Sequence, residues 1–237
     1  MDAAVNPYLA NNSNVITTRL SKAISFLPLL AWLRTTKRLS QPEAAVDFVI
    51  NHKTLSALQV RSELLEMANL ISAMKPKAVL EIGTALGGTL LLMCKLSDPG
   101  ATIVSLDLPK QGFAYRRYRV PIFRALSRKG QKLHLLTADS HSEEVKSHVA
   151  GLLDGRSLDV LFIDGDHSYQ GVRSDFEMYS PFVRKGGMVI FHDIVEHSSE
   201  KHCDVNRFWN EIKGQYSHRE IIENAAQGWA GVGVLYL

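Results

Sequence analysis

A chain of 237 residues, 46% of them hydrophobic, is long enough for one large domain with a filled core. A net charge of +3 excludes the strong basicity that by itself marks a nucleic-acid binder, and no nucleic-acid partner is expected. Cys94 and Cys203 have neither disulfide-scaffold nor metal-type spacing, so a reducing cytoplasm is the expected location.

Residues 1–60 read as an irregular start followed by helices, broken at Pro42, a segment expected to act in packing, in dimerisation or as a lid. No window reaches the length of a transmembrane helix. The apolar stretch 23–33 is interrupted by Pro28, lies between Lys22 and Arg34, starts late for a signal peptide and lacks a small-residue cleavage site. A helix packing on the domain or on a second subunit is expected there, with peripheral contact to an anionic membrane as the other reading.

Leu64, Leu65, Ala68, Leu70 and Ile71 form a helical stripe that stops before Pro76. Strand and helix then alternate: a strand at 78–82, a helix at 89–96, and a strand at 102–106 ending in Asp107. A basic aromatic helical region at 114–128 is disturbed by Pro121. It holds Arg116, Arg117, Arg119, Arg124 and Arg128, with Lys129 after it and Tyr115, Tyr118 and Phe123 among them, and reads first as a solvated face. A strand at 133–137 precedes Ala138-Asp139-Ser140, and a helix at 142–153 follows, with Ser140 and Glu143 spaced like a capping box. The strand 158–163 ends at Asp164, 169–183 is helical, and Gly186-Gly187 leads into a strand at 188–191 that ends at His192-Asp193.

After a helix at 205–212, which carries Phe208 and Trp209 as core or pocket wall, two strands at 219–222 and 232–237 close the chain. Too few residues separate them for a crossover helix, so they pair antiparallel. The expected fold is α/β: a doubly wound, seven-stranded, mostly parallel sheet with an antiparallel last strand, preceded by N-terminal helices, with residues 61–237 as the ligand-binding domain.

The first strand runs into Glu81-Ile82-Gly83-Thr84-Ala85-Leu86-Gly87 and then directly into a helix. Glycines let such a turn approach a ligand closely, and the helix aims free N–H groups at it. A carboxylate there suits ribose hydroxyls and repels pyrophosphate, which indicates an adenosyl ligand without phosphates. In doubly wound sheets ligands sit beyond the carboxyl ends of the strands. Five strand ends are polar here: Glu81, Asp107, Asp139-Ser140, Asp164 and His192-Asp193. One such residue is usually a cap or a turn former; five at one sheet edge form a constellation.

On these residues the segment 60–237 resembles the class I S-adenosylmethionine-dependent methyltransferases. Glu81-Ile82-Gly83-Thr84-x-x-Gly87 is similar to the cofactor loop of the small-molecule O-methyltransferase branch. Asp164-Gly165-Asp166-His167-Ser168-Tyr169, followed by Asp175, Gly186-Gly187 and Phe191-His192-Asp193, resembles a bacterial subgroup. That subgroup borders the cephalosporin-hydroxylase-like proteins and the sugar O-methyltransferases.

The resemblance implies methyl transfer from S-adenosylmethionine to a hydroxyl of a small or glycosidic acceptor. By it, Gly83, Thr84 and Gly87 belong to the loop against the methionine part of the cofactor. Asp107 accepts hydrogen bonds from both ribose hydroxyls, Asp139 and Ser140 frame the adenine, and Glu81 lies beneath the ribose or orders the loop. With a sulfonium leaving group, the protein has to place the acceptor in line and remove its proton. His192 and His167 are the candidate bases, with Asp193 orienting His192.

A divalent metal is the second option. In cation-dependent relatives an Asp after the fourth strand and an Asp-Asn pair after the fifth hold the ion. Asp164 aligns with the first ligand, and His192 and Asp193 occupy the place of the pair. Histidine there suits manganese, iron or zinc better than magnesium.

Two rivals remain. An NAD(P)-dependent oxidoreductase shares the doubly wound fold, but Gly83-x-x-x-Gly87 lacks the Gly-x-Gly-x-x-Gly spacing that admits pyrophosphate. A non-catalytic binding protein on the same scaffold is the other. The identity of the small-molecule acceptor and the state of any homo-oligomer are not encoded in readable form.

Overall fold

The computed structural model describes residues 27–108, 119–198 and 202–237. Three helices come first: α1 (Leu27–Thr35), α2 (Pro42–Asn51) and α3 (Arg61–Met74). Pro42 starts α2, where its missing N–H costs nothing. The αL residue Lys75 closes α3, its N–H donating to Ile71 O at 2.9 Å.

The sheet comprises β1 (Ala78–Ile82), β2 (Thr102–Asp107), β3 (Lys132–Thr137), β4 (Leu158–Ile163), β5 (Val183–His192), β6 (Ser217–Ile221) and β7 (Val232–Tyr236). Between the strands lie α4 (Gly88–Leu96), α5 (Val120–Arg124), α6 (Glu143–Leu153), α7 (Tyr169–Tyr179) and α8 (Val205–Ile212). The strand order is β3-β2-β1-β4-β5-β7-β6, parallel except for β7, which runs antiparallel to both of its neighbours.

Burial explains the sequence pattern. β1 is central and buried at every position, hence apolar apart from the buried Glu81, whereas the edge strand β6 is exposed up to Ile221. Alternate residues serve two cores. Val79, Ile103, Val160 and Ile190 pack with Leu33, Val46, Leu64 and Leu90 on one face. Leu80, Val104, Leu161 and Val189 pack with Phe176, Phe208 and Trp209 on the other.

All nine residues of α4 are buried, because α1 and α2 cover the side that would otherwise meet solvent. Even Lys95 is enclosed. Its Nζ donates to Leu33 O at 2.6 Å, near the C-terminal end of α1, and burial lowers its pKa.

Five local expectations are corrected. Pro121 initiates α5 instead of disturbing a longer helix. Ser142, not Ser140, is the N-cap residue of α6, and no side chain caps that end. The α-helix after Tyr169 stops at Tyr179, because Pro181 joins a short 3-10 turn, and β5 starts at Val183, five residues early. Of the added residues Val183 pairs with Leu158 of β4, across an irregularity between Leu158 and Val160. The penultimate strand is β6 at Ser217–Ile221, not 219–222.

Of the basic aromatic region, Tyr115, Arg116, Arg117 and Tyr118 lie outside the described residues. Within them, Arg119 donates to Thr54 O at 2.9 Å, Arg128 bonds Ser97 O, and Phe123 is fully buried. These residues serve packing. Among the described residues no helix is long and apolar enough to cross a membrane.

Candidate functional site

The carboxyl ends of β1 to β5 open into one cleft of about 780 Å³. Gly83, Thr84, Asp107, Asp139, Ser140, Asp164, His167, His192 and Asp193 all line it. Glu81 stands behind the wall, fully buried, and Gly87 is the N-cap residue of α4.

The β1–α4 turn admits only glycine at its head. Gly83 has φ +90°, and a Cβ there would fall 1.8 Å from Asp164 O. Its N–H donates to Leu106 O at 2.9 Å, and Asp164 N–H donates to Ile82 O at 2.9 Å. The turn is thereby locked between the ends of β2 and β4.

Glu81 organises this turn from below. Ser105 Oγ donates to Glu81 Oε2 at 3.0 Å and also bonds Thr84 Oγ1. Burial pushes the Glu81 carboxyl up to about 8, against the hydroxyls of Thr89 and Ser105.

At the end of β2, Asp107 Oδ1 accepts the Leu108 N–H at 2.8 Å, while its buried Oδ2 has no hydrogen-bond partner among the described residues. Burial raises its pKa. A buried acceptor of this kind at a cleft wall asks for a donor from a ligand.

The turn after β3 is held in place by its neighbours. Asp139 Oδ1 accepts the His141 N–H at 2.9 Å, and Tyr179 Oη donates to Ser140 O at 2.7 Å. His141, which sequence reasoning missed, lines the cleft, with Nε2 3.3 Å from the buried Asp175. Asp175 raises its pKa to about 9, mainly by hydrogen bonding and against burial. A histidine two residues past a strand-end acid carries no period or motif that marks it.

Asp164, His167, His192 and Asp193 meet at the other end of the cleft. His192 Nδ1 lies 3.0 Å from Asp193 Oδ2 and 3.4 Å from Asp164 Oδ1. His167 Nε2 lies 3.5 Å from each of those two oxygens. Burial works against charge on His192, yet Asp164 and then Asp193 raise its pKa to about 10. Burial likewise disfavours the Asp164 anion, but His192 and His167 hold it well below the usual carboxylate range. Asp193 is lowered too: burial opposes, and the hydrogen bond from His192 prevails.

His197, also missed, lies 2.9 Å through Nε2 from Asp193 Oδ1. The four-residue spacing from Asp193 to His197 reads as helical, but the contact forms in a turn where Asp193 itself has φ +63°. Such strain is held by the surroundings and collects at functional positions.

Ligand atoms of Asp164, His192 and Asp193 all fall within 4.8 Å of one another, a donor set that fits a divalent cation. The gap at Asp107 Oδ2 and the tight Gly83 turn fit a nucleoside with vicinal hydroxyls.

Loop 222–231 completes the rim. Glu63 of α3, buried, accepts from Glu223 N–H (3.0 Å) and Gln227 Nε2 (2.8 Å) at Oε1, and from Gly231 N–H (2.9 Å) at Oε2. Trp229 on this loop lines the cleft, whereas Trp209 is core, its Nε1 donating to Glu220 at 2.6 Å. Glu63→Gln sets an amide N–H₂ against these donors and is expected to cost about 1–3 kcal/mol in urea unfolding. A loss under about 0.5 kcal/mol, the range of an uninvolved surface site, would show that the loop does not depend on Glu63.

Residues 80–194 match the family model described as "Methyltransferase domain". An uncharacterized protein of Acanthamoeba polyphaga mimivirus is 43% identical over 63 residues, 25% of this chain and 28% of its own. The chain spans less than a third of the length of the curated relatives it matches. Among solved structures, the O-methyltransferase of Bacillus cereus in complex with SAH superposes with a TM-score of 0.58 at 18% identity, covering 83% of this chain and 90% of that one. The O-methyltransferase TomG of Streptomyces achromogenes, involved in tomaymycin synthesis and solved in complex with SAM, gives 0.54 at 15% identity, covering 83% and 89%. These superpositions establish a shared fold.

Proposed function

From the match of residues 80–194 to a methyltransferase domain and the sheet order β3-β2-β1-β4-β5-β7-β6, we propose that the protein moves a methyl group from S-adenosylmethionine to a hydroxyl oxygen of a small or glycosidic acceptor. The observation that carries this reading is the buried Oδ2 of Asp107, which has no hydrogen-bond partner among the described residues and belongs to the wall of a cleft that Gly83, Asp139-Ser140 and the Asp164–Asp193 cluster also line.

Asp107 receives the ribose hydroxyls, because a carboxylate has acceptor sites for two vicinal donors. The Gly83 turn lies against the amino-acid end, Asp139 and Ser140 face the base, and Glu81 keeps the turn in shape through Ser105 and Thr84. When bound, the sulfonium supplies an activated methyl and a neutral thioether leaving group. The protein then needs to align the acceptor oxygen and take its proton.

His167 takes that proton. Its side chain is 31% exposed and lines the cleft, whereas His192 is 4% exposed and holds its own proton between two acids. His192 and Asp193 fix the position of His167 and balance the charge it gains. With the His192 Nδ1 proton displaced, Asp164, His192 and Asp193 would hold a divalent cation, which when bound lowers the pKa of the acceptor hydroxyl.

Titration calorimetry of the full chain tests the donor half. S-adenosylhomocysteine should bind at one site, and NAD should give no heat and no competition. Binding of NAD with no response to S-adenosylhomocysteine would replace this reading with the oxidoreductase one.

A further inference from the structure

A buried thiol stands beside His167 and Asp193, from a segment with no motif of its own. Asp204 N–H donates to His167 O at 2.8 Å, which brings Cys203 alongside His167. A ring nitrogen of His167, a carboxylate oxygen of Asp193 and Sγ of Cys203 all lie within 4.8 Å of one another. Cys203 and Asp193 are both buried. This trio shares only Asp193 with the Asp164–His192–Asp193 set.

We propose that His167, Asp193 and Cys203 form a second metal site, for a thiophilic divalent cation of the zinc class, and that filling it withdraws the His167 ring from the acceptor. The binding stands on these three side chains alone. Only its consequence for turnover rests on the base role given to His167 above.

The donor chemistry selects the ion. One sulfur and one imidazole are soft or borderline ligands, which magnesium and calcium disfavour and zinc, cobalt and iron accept. Bonds of 2.0–2.3 Å place the corners of a zinc tetrahedron about 3.3–3.7 Å apart. His167 Nε2 and Asp193 Oδ2 already stand at 3.5 Å, so small side-chain adjustments close the site, with water at the fourth corner. On binding, the Cys203 S–H proton is released to solvent, one sulfur–metal bond forms, and no electron is transferred. The ring nitrogen that coordinates spends its lone pair on the metal and cannot accept a proton.

Cobalt(II) titration of the full chain tests the assignment without needing an acceptor. One equivalent should produce a thiolate-to-cobalt charge-transfer band in the near ultraviolet. Zinc should erase it, and an approximately hundredfold excess of magnesium should not. Cys203→Ser should lose the band and bind zinc at least ~10-fold more weakly, the scale of a lost metal-site contact. Its affinity for S-adenosylhomocysteine should stay at the wild-type value, which also verifies its fold. Cobalt binding without the thiolate band, no cobalt binding, or unchanged zinc affinity in Cys203→Ser would each overturn the site. Failure of the wild-type chain to bind S-adenosylhomocysteine would instead strike the proposed function and leave the metal result intact.

Discussion

Asp107→Ala is expected to weaken S-adenosylhomocysteine binding by at least ~100-fold in calorimetry, since two hydrogen bonds to an ionised acceptor at about 1.5–3 kcal/mol each are removed together. The fold should tolerate the change. Oδ1 accepts the neighbouring Leu108 N–H, the Thr84 and Ala85 N–H groups also favour the carboxylate, and buried Oδ2 meets no hydrogen-bond geometry among the described residues. Removing a buried carboxylate with an orphaned oxygen also relieves a desolvation cost in the free protein, so unfolding stability should hold or rise while affinity collapses. That opposite movement separates a ligand-facing acid from a structural one. An affinity within twofold of wild type would withdraw Asp107 from the ribose.

Asp164→Asn is expected to be the most destabilising single change in the acceptor half, by about 2–4 kcal/mol near pH 6, because it removes one acid from a buried charge cluster. Its pH dependence follows from the directions of the two shifts. His192 is raised to about 10 from an unfolded value near 6.5. It therefore adds stability that is complete below about pH 6.5 and fades as pH climbs toward 10. Asp164 is depressed, so its contribution is complete above about pH 4 and is lost in strong acid. Wild-type stability should accordingly fall between pH 6.5 and 10. In Asp164→Asn that slope should shrink, because His192 keeps only Asp193 as a close acid partner. Urea unfolding at pH 6 and pH 9 reads both effects, and equal slopes in the two proteins would contradict the coupling.

Periodicity carried the architecture well. Central strands show as largely apolar runs because both faces are buried, and β2 ends at Asp107 and β4 just before Asp164, where the cleft begins. The turn at Gly83 was visible for the same reason, since glycine is the only residue without a Cβ to strike Asp164.

What stayed hidden depends on contacts distant in sequence. Glu63 binds a loop about 160 residues away, and a helical glutamate meant for solvent reads identically. His141 acquires its character from Asp175, and Cys203 comes beside His167 next to the Asp204–His167 backbone bond. The 3-10 turn at Ser180–Phe182 and the early start of β5 were missed because Gly186-Gly187 mimics a strand boundary, while pairing with β4 overrides it.

The reversed direction of β7 has a consequence for how this protein is altered by design or descent. Running against β5 and β6, it delivers loop 222–231 to the rim beside Asp193, where Val195 and Ser198 bond its backbone. Trp229 on that loop lines the cleft, so a graft replacing Trp229 and its neighbours, with Glu63 and Gly231 retained as anchors, redraws the rim beside Asp193. Exchange of a single hairpin is thus a compact way to reshape that side of the cleft.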